Sequence, residues 1–315
     1  MKLLIVTQAI DENNPVLGFF VNWVRAFSEK FEQVTVICLE KGEFDLPSNV
    51  QVFSLGKEKF EKLDIENSLK TENWLLKITR RIKYLSTFYY LLFTLRKQYD
   101  AVFVHMNQEY VILGWKFWKL WGKKIYLWRN HAYGNIWTRF AVLVSDKVFY
   151  TSPQSFTAKY KKSVQMPVGI DTDFFKPDPN VERIPNSVLF LGRIAPVKKV
   201  LGFVEWLKTT DYIATIAGPI GDEKYWEEVK LKIESLKLGD RVKFIGPVNQ
   251  EGALKLYQTH EIYVNMTPAG SFDKTILEAL ACGCQLKVDN PVAKKLKIEN
   301  HSLDKLSCYL RREMG

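Results

Sequence analysis

Two cations five residues apart, Arg193 and Lys198, stand in LFLGRIAPVKKV (189–200), where an apolar run ends in a glycine and a basic loop follows. A planar guanidinium fork and a point-charge ammonium at the carboxyl end of a strand can grip a diphosphate. The same pair would also suit a solvated basic loop, and spacing alone leaves both uses open. A second group lies in GSFDKTILEALACG (270–283), a short helix that is apolar nearly all round, with Ile276, Leu277, Ala279, Leu280 and Ala281. Such a helix is buried. Glu278 in its middle is therefore a carboxylate that needs a partner. It could accept two sugar or ribose hydroxyls, or it could pair with a nearby Lys or Arg. Gly270 and Ser271 before the helix leave backbone N–H groups suited to an anion. Asp273 is the expected N-cap and Gly283 the expected C-terminal stop.

Other residues have weaker claims. Gly18, in PVLGFFVNW (15–23), stands between the first strand and the first helix, where a missing side chain lets a ligand approach the backbone. The surrounding sequence is not the GxGxxG dinucleotide fingerprint. His131, in WRNHAYGN (128–135), comes just after a strand and could donate to a phosphate or sugar hydroxyl, move a proton, or serve structure alone. His105 ends another strand and has the lower claim. Asp171-Thr172-Asp173 has the Asp-x-Asp form that can hold a divalent metal, but in a proline-flanked stretch Asp commonly caps turns. No His/Cys cluster has zinc spacing, and neither a GxxxxGK[ST] loop nor a GxSxG elbow is present. No metal and no cofactor are expected.

The elements that must position these residues follow a βαβ rhythm. Residues 3–8, 34–39, 50–55, 101–106, 124–128 and 147–151 read as strands, with helices over 18–31, about 70–97, 109–121 and 135–144. MPVGIDTDFFKPDPN (166–180), with three prolines, reads as a linker. The rhythm then restarts, with strands over 187–192, 212–218, 242–246, 261–266 and 285–288, helices near 200–208, 222–237, 250–258 and 274–282, and one more helix around 303–312. This predicts an α/β protein of two Rossmann-like domains, residues 1–170 and 171–300, followed by a short tail or helix over 301–315. Two open parallel sheets would face each other across a cleft at their carboxyl ends, where ligands bind.

Composition narrows the classes. At 315 residues and 47% hydrophobic content there is material for two cores. Cys38, Cys282, Cys284 and Cys308 form no CxxC pair, which suits reduced thiols in a cytoplasmic setting. The longest uncharged apolar stretch, Tyr84 to Leu95, is twelve residues. A membrane span needs about 20. The net charge of +10 is concentrated in residues 1–177, which hold 25 Lys/Arg against 17 Asp/Glu. Residues 110–145 contain no acid, and six basic residues lie there among Trp115, Phe117, Trp118, Trp121, Trp128 and Trp137. Segment 77–97 has six basic residues and no acid. Such a surface fits an anionic membrane face, and its mixture of Lys/Arg with Trp/Tyr/Leu at helical spacing favours that partner. No nucleic-acid recognition module is apparent, and no nucleic-acid partner is expected.

Taken in order, LFLGRIAPVKK, TIAGP, VKFIGPV and SFDKTILEALACG resemble the carboxyl-terminal domain of the retaining glycosyltransferases of family four, which have the GT-B fold. LLIVTQ with LGFFVNWVRAFSE is similar to that family's opening strand, loop and helix, and VGIDTDFFKP to its interdomain segment. The resemblance covers about residues 1–290. It implies that Arg193 and Lys198 bind the donor's diphosphate, that Glu278 holds the ribose hydroxyls, and that Gly18 lies at the phosphates. His131 would match the histidine that contacts the transferred sugar. The backbone from Ser271 through Phe272, Asp273 and Lys274 to Thr275 would contact sugar and phosphate, and Gly218, Pro219 and Val248 would flank the base. The activity implied is transfer of a hexosyl-type sugar, without a metal, from a nucleoside-diphosphate sugar to a glycan, a glycolipid or a polysaccharide precursor. A GT-B epimerase and an inactive GT-B scaffold are the alternatives. The family often carries two glutamates as E-x7-E, whereas this chain has Gly270 at the first position, so that contact is lost or made by Asp273.

Overall fold

The computed structural model describes residues 1–60, 74–268, 273–289 and 297–315. The chain divides into two compact units, Met1–Met166 with Ser307–Gly315, and Pro167–Leu306.

The first unit is built on a seven-stranded sheet whose strands all run parallel. They are β1 (Lys2–Ile10), β2 (Gln33–Lys41), β3 (Val50–Ser54), β4 (Ala101–His105), β5 (Lys124–Trp128), β6 (Lys147–Tyr150) and β7 (Ser163–Gln165), in spatial order β3-β2-β1-β4-β5-β6-β7. A parallel sheet is covered on both faces, so its central strands read as unbroken apolar runs. Leu3 to Val6 and Val102 to Val104 are fully buried. On one face α1 (Phe19–Ser28) buries Phe20, Val21, Trp23, Val24 and Phe27. On the other, α2 (Trp74–Leu95), α3 (Gln108–Leu120) and α4 (Ile136–Val144) set Phe88, Leu92, Val111, Trp118 and Val142 in one core with Leu4, Val102, Ile125 and Val148. The segment β7 has three residues, too few to show an alternation, and the sequence gives no sign of it.

The second unit has a five-stranded parallel sheet of β8 (Ile184–Leu191), β9 (Ile213–Ala217), β10 (Val242–Gly246), β11 (His260–Asn265) and β12 (Gln285–Val288), in order β10-β9-β8-β11-β12. Helices α5 (Val200–Leu207) and α6 (Glu223–Ser235) pack Val200, Phe203, Trp226 and Val229 on one face. Helices α7 (Gln250–Thr259) and α8 (Lys274–Ala281) pack Ala253, Tyr257, Ile276 and Leu277 on the other. Helix α9 (Leu303–Met314) begins in this unit, and from Ser307 onward its residues belong to the first. There Tyr126 Oη donates to the Met314 carbonyl at 3.0 Å, and Lys147 Nζ reaches Glu313 Oε2 at 3.0 Å. Cys38, Cys282 and Cys284 are buried, Cys308 is exposed, and no disulfide joins any of the four. Among the described residues no helix is long and apolar enough to cross a membrane.

Candidate functional site

In each unit the strand order reverses at one place, between β1 and β4 in the first and between β8 and β11 in the second. Loops leaving the carboxyl ends of such a strand pair diverge to opposite faces and open a crevice for ligands. In the second unit the loop after β8 carries Arg193 and Lys198, and the loop after β11 leads to Asp273.

Close backbone approach shapes the floor of this edge. Gly218 has φ +135°, and a Cβ there would lie 2.1 Å from the Gly192 carbonyl oxygen, so no side chain fits. The Gly192 N–H donates to Ala217 O at 2.9 Å and the Gly218 N–H to Gly246 O at 2.7 Å, which ties together the ends of β8, β9 and β10. The Pro219 carbonyl accepts from the Ile194 N–H at 2.9 Å. Arg193 is exposed, and its stem crosses Gly221, where a Cβ would meet its Cγ and Cδ at 2.6 Å. Val248 lies further along the same edge, half-buried and packed on Gly252.

A 3-10 turn, Pro196–Lys198, presents the second cation. Lys198 Nζ donates to both oxygens of Asp273, with Oδ2 at 2.5 Å. Asp273 Oδ2 also accepts from Asn265 Nδ2 at 3.0 Å and from Thr267 Oγ1 at 2.8 Å. Asn265 is itself fixed by the Thr267 N–H on its Oδ1 at 3.0 Å. Burial pushes the Asp273 carboxyl up, but the Lys198 ammonium and the hydrogen bonds from Lys198, Asn265 and Thr267 together outweigh it and hold it below the usual range. The expected capping role needs correction. Asp273 occupies the N-cap position of α8, yet its side chain makes no capping hydrogen bond, because both oxygens are engaged elsewhere.

Glu278 is buried and accepts from Tyr257 Oη at 3.1 Å. Lys274, one turn earlier on α8, donates from Nζ to the Gly169 carbonyl at 3.1 Å. Burial lowers the Lys274 ammonium to about 7, with the Glu278 and Asp171 carboxylates pulling the other way. Burial raises Glu278, and Lys274 and the Tyr257 hydrogen bond oppose that. The buried carboxylate is thus matched inside the fold by a lysine and a phenol. Thr275 Oγ1 accepts from Tyr263 Oη at 2.6 Å. The residues Gly270, Ser271 and Phe272 lie outside those described.

In the first unit the candidates sit on loops after β1 and β5. A Cβ at Gly18 would meet the carbonyls of Glu12 and Asn14 at 2.7 and 2.8 Å, so the glycine has a packing reason of its own. The exposed His131 follows β5; partial burial, then Arg129, pushes its imidazole down, which favours the neutral ring. At the end of β4, His105 is buried, shares a hydrogen bond between its Nδ1 and Thr7 Oγ1 at 3.2 Å, and stacks on Phe20 at 4.0 Å. Asp171 Oδ1 accepts from the N–H groups of Asp173 and Phe174 at 3.2 and 3.0 Å, a turn-capping use.

The structure therefore brings Lys198 onto Asp273, and Lys274, Thr275 and Glu278 onto one short helix. Sequence reading missed Asn265, Thr267, Tyr257 and Tyr263. Two polar residues, Asn265 and Thr267, on either side of Met266 at the end of the run IYV (262–264) were the available signal for the first two.

A family model described as glycosyl transferases group 1 matches residues 171–286, a stretch that contains Arg193, Lys198, Asn265, Thr267, Asp273 and Glu278. A search of curated proteins finds no match. Among solved structures, Alr3699/HepE of Anabaena, in complex with UDP and glucose, is 16% identical over 99% of this chain and 89% of its own, at TM-score 0.64. The sucrose-phosphate synthase tll1590 of Thermosynechococcus elongatus is 13% identical over 100% and 94%, at 0.66. The lipopolysaccharide outer core galactosyltransferase WaaB, in its apo form, is 16% identical over 100% and 90%, at 0.59. At these identities the likeness shows the fold, two Rossmann-like domains of the GT-B type, as the sequence led us to expect.

Proposed function

We propose that the protein is a retaining glycosyltransferase of the family-four kind, moving a hexosyl group from a nucleoside-diphosphate sugar to an acceptor hydroxyl. One observation carries this reading. Arg193 and Lys198 follow β8 at the place where the strand order reverses, inside the segment that the glycosyl transferases group 1 model matches. The bond from the sugar's anomeric carbon to the diphosphate breaks, the acceptor oxygen bonds to that carbon on the same face, and the acceptor's proton leaves with a phosphate oxygen. Arg193 and Lys198 neutralise the departing diphosphate, so the reading needs no metal. Glu278 takes the ribose hydroxyls, with Lys274 as its counter-charge. Gly218, Pro219 and Val248 flank the base, and the backbone of Ser271 to Thr275 meets sugar and phosphate.

Removing one preorganised charge of this kind costs about 10²–10³ in rate. Lys198→Ala should lose transfer by that factor while remaining folded, with the donor found by a thermal-shift panel of nucleoside diphosphates. Near-normal turnover by the variant would remove the diphosphate assignment. Product analysis without acceptor separates transfer from epimerisation, and failure to bind any nucleoside diphosphate would favour an inactive scaffold.

The acceptor we propose is a glycolipid, lipid-linked glycan or polysaccharide precursor, met at the cytoplasmic face of an anionic membrane. Helix α4 supports this with an outward apolar stripe, Ile136, Trp137, Phe140 and Leu143, of which Ile136 is 68% and Leu143 70% exposed. Cations border it. Arg139 is exposed on the same helix, Lys162 Nζ holds the Leu143 and Ser145 carbonyls, and Lys116 lies over Trp115, whose ring meets Phe140 edge-on at 5.5 Å. An apolar stripe with a basic border suits an anionic lipid surface. The protein should sediment with vesicles containing phosphatidylglycerol at low salt and be released as salt rises. No sedimentation at low salt would end the membrane assignment.

A further inference from the structure

The pairing of Lys198 with Asp273 bears on how tightly a diphosphate can be held. A lysine ammonium has three donors, and two of them are spent on one carboxylate. That carboxylate is not an incidental surface partner. Side chains of Lys198 and Asp273 retain only 16% and 19% of their exposure, and Asp273 is fixed a second time by Asn265 and Thr267. The two bonds from Asn265 and Thr267 do not involve Lys198. If the ammonium turns to another anion, the carboxylate keeps both partners and is not orphaned, so the exchange escapes the penalty of a stranded buried charge. Lys198 can make that turn, since it stands on a three-residue 3-10 turn and has a four-carbon stem.

We infer that Asp273 is a built-in competitor for Lys198, a positioning carboxylate that parks the ammonium at the β8/β11 edge and must be displaced before Lys198 can engage a phosphate. This deepens the transferase reading and rests on it for the identity of the incoming anion. Two effects act together. The carboxylate occupies the donors a phosphate would use, and its negative charge repels a polyanion drawn to Arg193 and Lys198. Both lower affinity for the free diphosphate, which in a transferase is the leaving product. A site with Arg193 and Lys198 unopposed would hold that product longer. Asp273 is thus a residue that sets product release, acting through Lys198 rather than on the reacting atoms.

The probe is inorganic pyrophosphate, titrated calorimetrically at low salt against the full chain. Asp273→Asn removes one unit of charge within a few ångströms of the bound anion, and should tighten pyrophosphate binding by about tenfold. Asp273→Ala should tighten it as well, which covers the case in which the asparagine disturbs the Asn265 contact. Lys198→Ala should weaken binding, and adding Asp273→Asn to Lys198→Ala should tighten it by clearly less than in the parent, because only the charge repulsion is then relieved and the competition for the ammonium is gone. A purely structural role for Asp273 would give the opposite sign, weaker binding in both variants. Unchanged or weaker binding by folded Asp273→Asn, with Lys198→Ala still weakened, overturns the inference and leaves the diphosphate assignment standing. Tightening of the same size in the Lys198→Ala background also overturns it. If Lys198→Ala binds pyrophosphate as the parent does, the transferase reading of that lysine falls first, and the inference falls with it.

Discussion

The two units share a topology but fill their strand-reversal edges in opposite ways. Between β1 and β4, Thr7, His105 and the rings of Phe20 and Trp23 form a packed aromatic cluster, with the imidazole stacked on Phe20 at an angle of 16°. Between β8 and β11, the corresponding edge holds a lysine, an aspartate, an asparagine and a threonine in one hydrogen-bonded group, with Arg193 exposed on the loop that carries the lysine. Topology supplies an edge in both; residue chemistry decides what the edge can receive. The first is closed by its own side chains, and the second is built of charge that an anion can redistribute.

The largest effect that could break this contrast is at Glu278. If the second unit's α8 is a matched-charge element, removing one member should be severe. Glu278→Gln leaves the buried Lys274 ammonium without its counter-charge, a loss of about 3–5 kcal/mol by the usual cost of breaking a buried pair. The loss should depend on pH. Burial lowers Lys274 to about 7 in the folded chain. Between that value and the ordinary lysine range the unfolded chain binds more protons, so this group's contribution to stability rises with pH. Without Glu278 the ammonium is pushed lower still, so the variant should be weaker at pH 7 than at pH 9.5 in urea titrations. A variant that is equally stable at both pH values, or that loses less than 1 kcal/mol, would show that the helix carries no charge couple. In the first unit, His105→Ala should cost about 2–3 kcal/mol by cavity formation and leave pyrophosphate binding unchanged. A change in that binding would mean that the aromatic edge takes part in anion capture, and the contrast would fail.

The elements were legible because both sheets are parallel and their strands are apolar runs set between helices of clear period. The site was legible in part. Glu278 was visible as a carboxylate in an apolar helix, whereas Arg193 and Lys198 suited a solvated basic loop as well as a site; their position after β8 follows from the βαβ order. What the sequence could not show is which charge meets which. The Lys198–Asp273 contact joins residues 75 apart in the chain, and the Asn265 and Thr267 bonds depend on how β11 ends rather than on any spacing. Glu278 was correctly a question; Lys274, four residues earlier on the same helix, was within reach of helical spacing, but Tyr257 comes from another helix and periodicity does not resolve it. Asp273 stands at the N-cap position as expected, but its side-chain role there was misread for a physical reason. N-cap preference is a local rule, worth about 1 kcal/mol, and a lysine ammonium nearby outbids the helix's own N–H groups for the same oxygens.

That misreading gives the smallest effect and the sharpest version of the comparison. Helix α4 of the first unit starts with a complete capping box. Asn135 Oδ1 accepts from the Thr138 N–H at 3.0 Å, and the Asn135 N–H donates to Thr138 Oγ1 at 3.1 Å. Helix α8 of the second unit has an aspartate at the same position and no cap bond. If one cap serves the helix and the other serves the site, equivalent substitutions should separate the two roles. Asn135→Ala should cost about 1 kcal/mol in urea unfolding and leave pyrophosphate affinity unchanged. Asp273→Ala should change that affinity and cost α8 nothing attributable to capping, since no capping bond exists to lose. Equal stability losses with no change in affinity would mean that Asp273 serves its helix as Asn135 does.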